Sequence, residues 1–186
     1  GYKKIQKKKI NIFLDLKLHD IPNSVKKGIK AIKLLKPKFT TVHISGGDKM
    51  LKSTNLKNNK TLIIGVSALT SLSDEQVKKY YLRKNVDKLV SDFTNYAIEN
   101  KLDGIVCSPH EIKMIKKIAD NKLIIITPGI RPASYNKKDD QKRTMSPGKA
   151  ISLGADYVVI GRPITLSKDP VNKLIEINSE IEKYQN

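Results

Sequence analysis

Three charged side chains in the segment Asp15-Leu16-Lys17-Leu18-His19-Asp20 have the types and the spacing to do chemistry. In an extended strand alternate residues share a face, so Asp15 and Lys17 are expected side by side, with Leu14 and Leu16 on the other face. Two opposite charges on one face of an apolar strand are costly to bury unless they pair or react. One reading is a structural ion pair at a strand end. The functional reading is an array of alternating charges: a Lys kept protonated by flanking carboxylates can deliver a proton to a carbon that becomes basic during a reaction. A second candidate is Gly161-Arg162, directly after the last apolar run, where backbone N–H groups and a planar guanidinium suit phosphate oxygens. Other polar residues read as structural. His19 and His43 suit hydrogen bonds, and His110, after Pro109, suits a helix cap. The three His and the lone Cys107 lie in separate segments without metal-ligand spacing, so no metal is expected. Ser45, Ser67 and Ser108 lack a Gly-x-Ser-x-Gly elbow.

The elements that must position these groups follow one repeated pattern. Apolar runs fit for buried strands are expected at Ile10–Leu16, Phe39–Ile44, Thr61–Ser67, Asp103–Cys107, Leu123–Thr127 and Tyr157–Ile160. Helical spacing intervenes. Pro22 suits a first turn, followed by Val25, Ile29, Ile32 and Leu35; Met50 and Leu51 mark a short helix; Ser73-Asp74-Glu75-Gln76 carries a capping box. Further helices are expected at Val86–Glu99, after Pro109 with Ile112, Ile115 and Ile118 inward, from Ser146-Pro147 to a stop at Gly154, and at Val171–Ile181. Strands that are continuously apolar rather than alternating indicate a parallel sheet covered on both faces, so the class is α/β. Six units of about 31 residues fall about two units short of the roughly 250 residues of a (β/α)8 barrel, whereas an open doubly wound sheet would accommodate six strands. No Gly-x-Gly-x-x-Gly fingerprint follows the first strand, which disfavours the dinucleotide-binding version of the open sheet.

Composition bounds the rest. The chain has 186 residues, a formal net charge of +18 and one Cys, enough for one globular domain and too few thiols for a disulfide scaffold. Only four of the 36 basic residues are Arg (Arg83, Arg131, Arg143, Arg162), and Lys is scattered over every polar face with few aromatics. That pattern is read as composition bias rather than a specific nucleic-acid surface, although weak binding at low salt follows from the charge alone. No apolar run is long enough to span a bilayer and no signal peptide is evident, so a cytoplasmic location is expected and no membrane partner.

Phe13-Leu14-Asp15-Leu16-Lys17-Leu18-His19-Asp20-Ile21-Pro22-Asn23-Ser24-Val25 resembles the signature of bacterial orotidine 5′-phosphate decarboxylases. Later segments resemble the same family in the same order: Val42-His43-Ile44-Ser45-Gly46-Gly47, Leu69-Thr70-Ser71, Thr127-Pro128-Gly129-Ile130-Arg131-Pro132, Asp140-Gln141-Lys142-Arg143, and Gly154 to Thr165. The resemblance implies a TIM (β/α)8-barrel and cofactor-independent decarboxylation of orotidine 5′-monophosphate to uridine 5′-monophosphate. It implies that Lys17 protonates C6, that Asp15 faces the departing carboxylate, and that Asp20 and Ser24 reach the neighbouring site of a homodimer with shared active sites. Thr70 would hydrogen-bond the pyrimidine. Arg131, Gln141, Gly161 and Arg162 would contact the rest of the nucleotide, with Ala133–Asp140 as a candidate lid. The chain, 1–186, is expected to be a single domain truncated at its N-terminus, lacking the family's first two strands. Sister barrels that use Mg²⁺ to act on sugar phosphates share Asp-x-Lys-x-x-Asp; Ile21-Pro22-Asn23 and Thr127-Pro128-Gly129-Ile130-Arg131 favour the nucleotide enzyme. An inactive remnant that survives as a binding protein is the reading from outside enzymology.

Overall fold

The computed structural model describes residues 2–8, 10–56, 60–132, 135 and 143–184. Six strands, β1 (Phe13–Leu18), β2 (Phe39–His43), β3 (Leu62–Val66), β4 (Gly104–Val106), β5 (Ile124–Thr127) and β6 (Tyr157–Val158), form one sheet in the order β1-β2-β3-β4-β5-β6. Every neighbouring pair is parallel. Nine helices occur among the described residues: α1 (Tyr2–Gln6), α2 (Pro22–Leu35), α3 (Gly47–Lys52), α4 (Asp74–Tyr81), α5 (Val86–Glu99), α6 (Ile112–Ala119), α7 (Pro147–Ser152), α8 (Arg162–Thr165) and α9 (Pro170–Glu182). Sequential strands lying side by side, each crossing over through helix, give the βα repeat expected from the apolar spacing.

The period of two explains how both faces are covered. Ile63, Ile105 and Ile125 point outward into the main core with Val25, Ile29, Val90 and Ile115 of the helices. Phe39, Ile64 and Ile126 point the other way and form a second cluster with Phe13 and Val106 inside the curl of the sheet. Curling brings the start of β2 and the last strand toward each other. Lys38 Nζ donates to the Tyr157 hydroxyl at 2.8 Å, and Phe39 meets the Tyr157 ring edge-on at 5.0 Å. Among the described residues β1 and β6 nevertheless do not pair, so the barrel has an open seam. Ile10, Leu16, Tyr157 and Val159 are exposed along it.

Local chemistry sets the strand starts and helix ends. Asp103 accepts the Ile63 N–H and Asp156 accepts the Ile125 N–H, both at 2.7 Å, so a carboxylate just before a strand fastens the adjacent strand. Gly104 is required by close approach, because a Cβ there would lie 2.4 Å from the Ile124 carbonyl oxygen. Ser73 and Gln76 form the expected capping box of α4, and Gly154, at φ 106°, provides the left-handed stop after α7.

Three expectations need correction. The first strand starts at Phe13, not Ile10, and the last ends at Val158, not Ile160. Strict alternation also fails in β1. Phe13 and Leu14 pair with Phe39 and Thr40, but Leu18 pairs with Val42, so β1 bulges between them. Lys17 adopts a left-handed φ of 50° within that bulge, and Leu16 is exposed instead of packing beside Leu14. Finally, Ser108, not His110, caps the turn before α6: its side chain accepts from the His110 N–H while Glu111 accepts the Ser108 N–H.

Candidate active site

The bulge in β1 is what aims its charges. A residue in the left-handed region costs about 1–2 kcal/mol without compensation. Here the Lys17 N–H donates to Thr41 Oγ1 at 2.8 Å, and the Thr41 hydroxyl donates to Asp15 Oδ1 at 2.7 Å. Thr41 is completely buried in β2. One hydroxyl therefore fixes both the backbone turn and the carboxylate. The other oxygen of Asp15 accepts from Lys17 Nζ, closing a three-residue ring of contacts. Asp15 and Lys17 each keep 43% of their side-chain surface exposed, so both charges are held in direction while their reactive atoms remain open.

That pair forms the lip of a 220 Å³ cavity at the carboxyl ends of β1, β3, β4 and β5. Its walls are mostly apolar: Val66, Ala68 and Leu69 on one side, Val106, Cys107 and Pro128 on another, and Val159 opposite, with Thr70 adding a hydroxyl. An anionic ring system entering it would lose water on most sides and meet an ammonium at the edge, where electrostatic interactions strengthen as water leaves. Cys107 is 1% exposed, and burial pushes its thiol well above the ordinary range, so it lines the wall as a neutral, inert group. Beyond the pair, the His19 and His43 rings lie 5.1 Å apart. Burial chiefly, then His19 and Lys17, lowers the His43 pKa, with Asp15 opposing.

Of the residues singled out in the sequence, the cavity gathers Asp15, Lys17 and Thr70. Asp20 and Ser24 are exposed, outside its lining; Asp20 accepts the Ile21 N–H at 2.6 Å at the entrance to α2. Gly161 is the N-cap of α8 and Arg162 its first residue, just beyond the wall residue Val159. A Cβ on Gly161 would meet no atom within 4 Å, so the backbone there is openly accessible. Arg131 follows β5, donates from Nη1 to the Ile130 carbonyl at 2.9 Å and stacks over Tyr135 at 5.5 Å. Gln141 lies outside the described residues, as does most of Ala133–Asp140. Among the described residues no three His, Cys, Asp or Glu side chains are grouped to hold a metal, and no helix is long and apolar enough to cross a membrane.

Two functional features escape sequence reasoning. Thr41 stands in an apolar strand where a β-branched residue is ordinary, so only its register opposite the bulge reveals it. Cys107, between Val106 and Ser108, carries no signal beyond being a lone thiol.

The model of the Orotidine 5′-phosphate decarboxylase / HUMPS family matches residues 2–177. A Wolbachia sp. subsp. Brugia malayi (strain TRS) protein named orotidine 5′-phosphate decarboxylase is 45% identical over 174 residues, covering 92% of this chain and 76% of that relative. A Saccharophagus degradans protein of the same name is 41% identical over 182 residues, covering 96% and 76%. Among solved structures, orotidine 5′-phosphate decarboxylase from Lactobacillus acidophilus superposes with a TM-score of 0.82 at 35% identity, covering 97% of this chain and 79% of that one. The enzyme from Pyrococcus horikoshii OT3, at 22% identity and a TM-score of 0.74, shares the fold. With six βα units in their order, the charged bulge at the cavity lip and a family match along nearly its whole length, the chain belongs to the orotidine 5′-phosphate decarboxylase / HUMPS family.

Proposed function

We propose that the protein decarboxylates orotidine 5′-monophosphate to uridine 5′-monophosphate in pyrimidine biosynthesis, without a cofactor. The observation that carries this reading is the Asp15–Lys17 pair, clamped by Thr41 at the mouth of an apolar-walled cavity. In the reaction the bond from C6 to the carboxylate carbon breaks, carbon dioxide departs, and the electron pair stays on C6. Lys17 Nζ then gives its proton to C6 and recovers one from solvent. A preorganised cation beside developing negative charge stabilises the carbanion-like transition state, and Asp15 both aims the ammonium and faces the departing carboxylate. Thr70, which lines the cavity, hydrogen-bonds the pyrimidine. Gly161, Arg162 and Arg131, with Gln141, hold the ribose phosphate.

In this reading Asp20 and Ser24, exposed and outside their own cavity, serve the site of a second copy in a homodimer. Two further strands close the seam between β1 and β6, where both strand edges are unpaired among the described residues. The test is turnover of orotidine 5′-monophosphate with and without EDTA. Sustained turnover in EDTA is expected. Turnover that EDTA abolishes and Mg²⁺ restores would favour a metal-dependent sugar-phosphate lyase, and binding of a uridine nucleotide without turnover would favour an inactive binding protein.

A further inference from the structure

A buried ion pair beside the cavity remains outside the chemistry above. An oxygen of Glu111, Oε1, lies 2.8 Å from Arg143 Nη1, and the Glu111 side chain is 1% exposed against 27% for Arg143. The other oxygen, Oε2, accepts the Ser108 N–H at 3.0 Å, next to Cys107 in the cavity wall. Both carboxylate oxygens are thus used, one by the wall and one by Arg143. Burial raises the pKa of Glu111 and Arg143 opposes that rise.

On the other side of Arg143 the chain is tied to the segment that follows β5. Met145 bridges Ile130: the Arg131 N–H donates to the Met145 carbonyl at 2.9 Å, and the Met145 N–H donates to the Gly129 carbonyl at 3.3 Å. The stretch from Arg143 to Met145 is therefore fastened at one end, by a side chain, to the turn after β4, and at the other, by its backbone, to the segment carrying Arg131. A well-packed apolar pair at such a position is often no less stable than a buried ion pair. What the charged pair adds is direction, since a guanidinium meeting a carboxylate fixes geometry more tightly than apolar contact.

We infer that Arg143, clasped by Glu111, is a positioning residue that holds the Arg131 backbone and so sets the Arg131 side chain for the phosphate-bearing part of the substrate. The identity of that substrate rests on the decarboxylase reading; the clasp itself does not.

Two measurements on the full chain test it. Amide exchange of Arg131 and Met145 is expected to speed by about tenfold or more in Arg143→Ala, while that of Ile64 in β3 stays as in the wild type. Steady-state kinetics with orotidine 5′-monophosphate are expected to show KM up about tenfold with kcat changed less than about threefold, the pattern of lost remote binding. Arg143→Lys and Glu111→Gln, milder changes that preserve folding should Arg143→Ala not fold, are expected to move both readouts in the same direction by less. Unchanged exchange at Arg131 and Met145 in folded variants, or equal loss of kcat and kcat/KM at constant KM, would overturn the clasp. Should the wild type not turn over orotidine 5′-monophosphate, the decarboxylase reading fails, and amide exchange alone decides the clasp.

Discussion

Strands β1 and β4 belong to one sheet, yet they answer to different demands. β4 pairs on both sides in unbroken register, and its Ile105 is completely buried. Among the described residues β1 pairs on one side only; it bulges, puts Lys17 in a left-handed conformation and leaves Asp15, Leu16 and Lys17 exposed. Burial is concentrated in the middle of the sheet, and the charges proposed to act on the substrate stand exposed at its edge. The edge can bear strain because its geometry is enforced from β2, through the buried Thr41 hydroxyl, rather than by its own pairing.

The sharpest way to break this contrast is to separate activity from stability at one position. Lys17→Gly is expected to lower kcat/KM by at least about 10³-fold, while relief of the left-handed strain keeps stability unchanged or raises it by up to about 1 kcal/mol. Parallel turnover and urea-unfolding measurements check both parts. Equal destabilisation would mean the edge is not strained. In the middle of the sheet the reverse holds. Ile105→Ala is expected to cost about 2–5 kcal/mol of stability, read from the urea midpoint, with the residual folded enzyme keeping its kcat. Thr41→Val lies between the two, removing an acceptor for the Lys17 N–H and a donor to Asp15 at nearly constant volume. It is expected to lose about 1–3 kcal/mol of stability and about tenfold in kcat, the one substitution among these that lowers both.

The smallest effect concerns pH. His43 is held below its ordinary value of 6.5 by burial first, then by His19 and Lys17. Its folded-state contribution is therefore present above 6.5 and is lost as pH falls from there through the folded value, because the unfolded chain takes up the proton first. The urea midpoint should fall on acidification across this window, and His43→Gln should flatten that slope. An unchanged slope would mean that burial and its charged neighbours do not lower the His43 pKa.

Much of this was legible from residue types alone. The six apolar runs located all six strands because fully covered parallel strands need no alternation, and Ser73, Pro147 and Gly154 marked helix ends by backbone chemistry that is local. Asp15 and Lys17 were legible as a pair, but for an imperfect reason. Alternation places them together only in a regular strand, whereas here they meet across a bulge whose cause, Thr41, sits on another strand. Contacts between distant segments, such as Arg143 with Glu111, leave no periodic trace. The resemblance to decarboxylases marked Arg143 within a motif without indicating what it touches.

In the proposed reaction Lys17 supplies the proton that replaces the carboxylate at C6. Decarboxylation of orotidine 5′-monophosphate in deuterated buffer containing EDTA tests it most directly, with the product read by proton NMR. The wild type is expected to give uridine 5′-monophosphate carrying deuterium at C6, and Lys17→Ala, folded by amide exchange, is expected to give at most a thousandth as much in the same time, in line with loss of a ~10³-fold acid and electrostatic contribution. Undiminished turnover by Lys17→Ala would contradict the account.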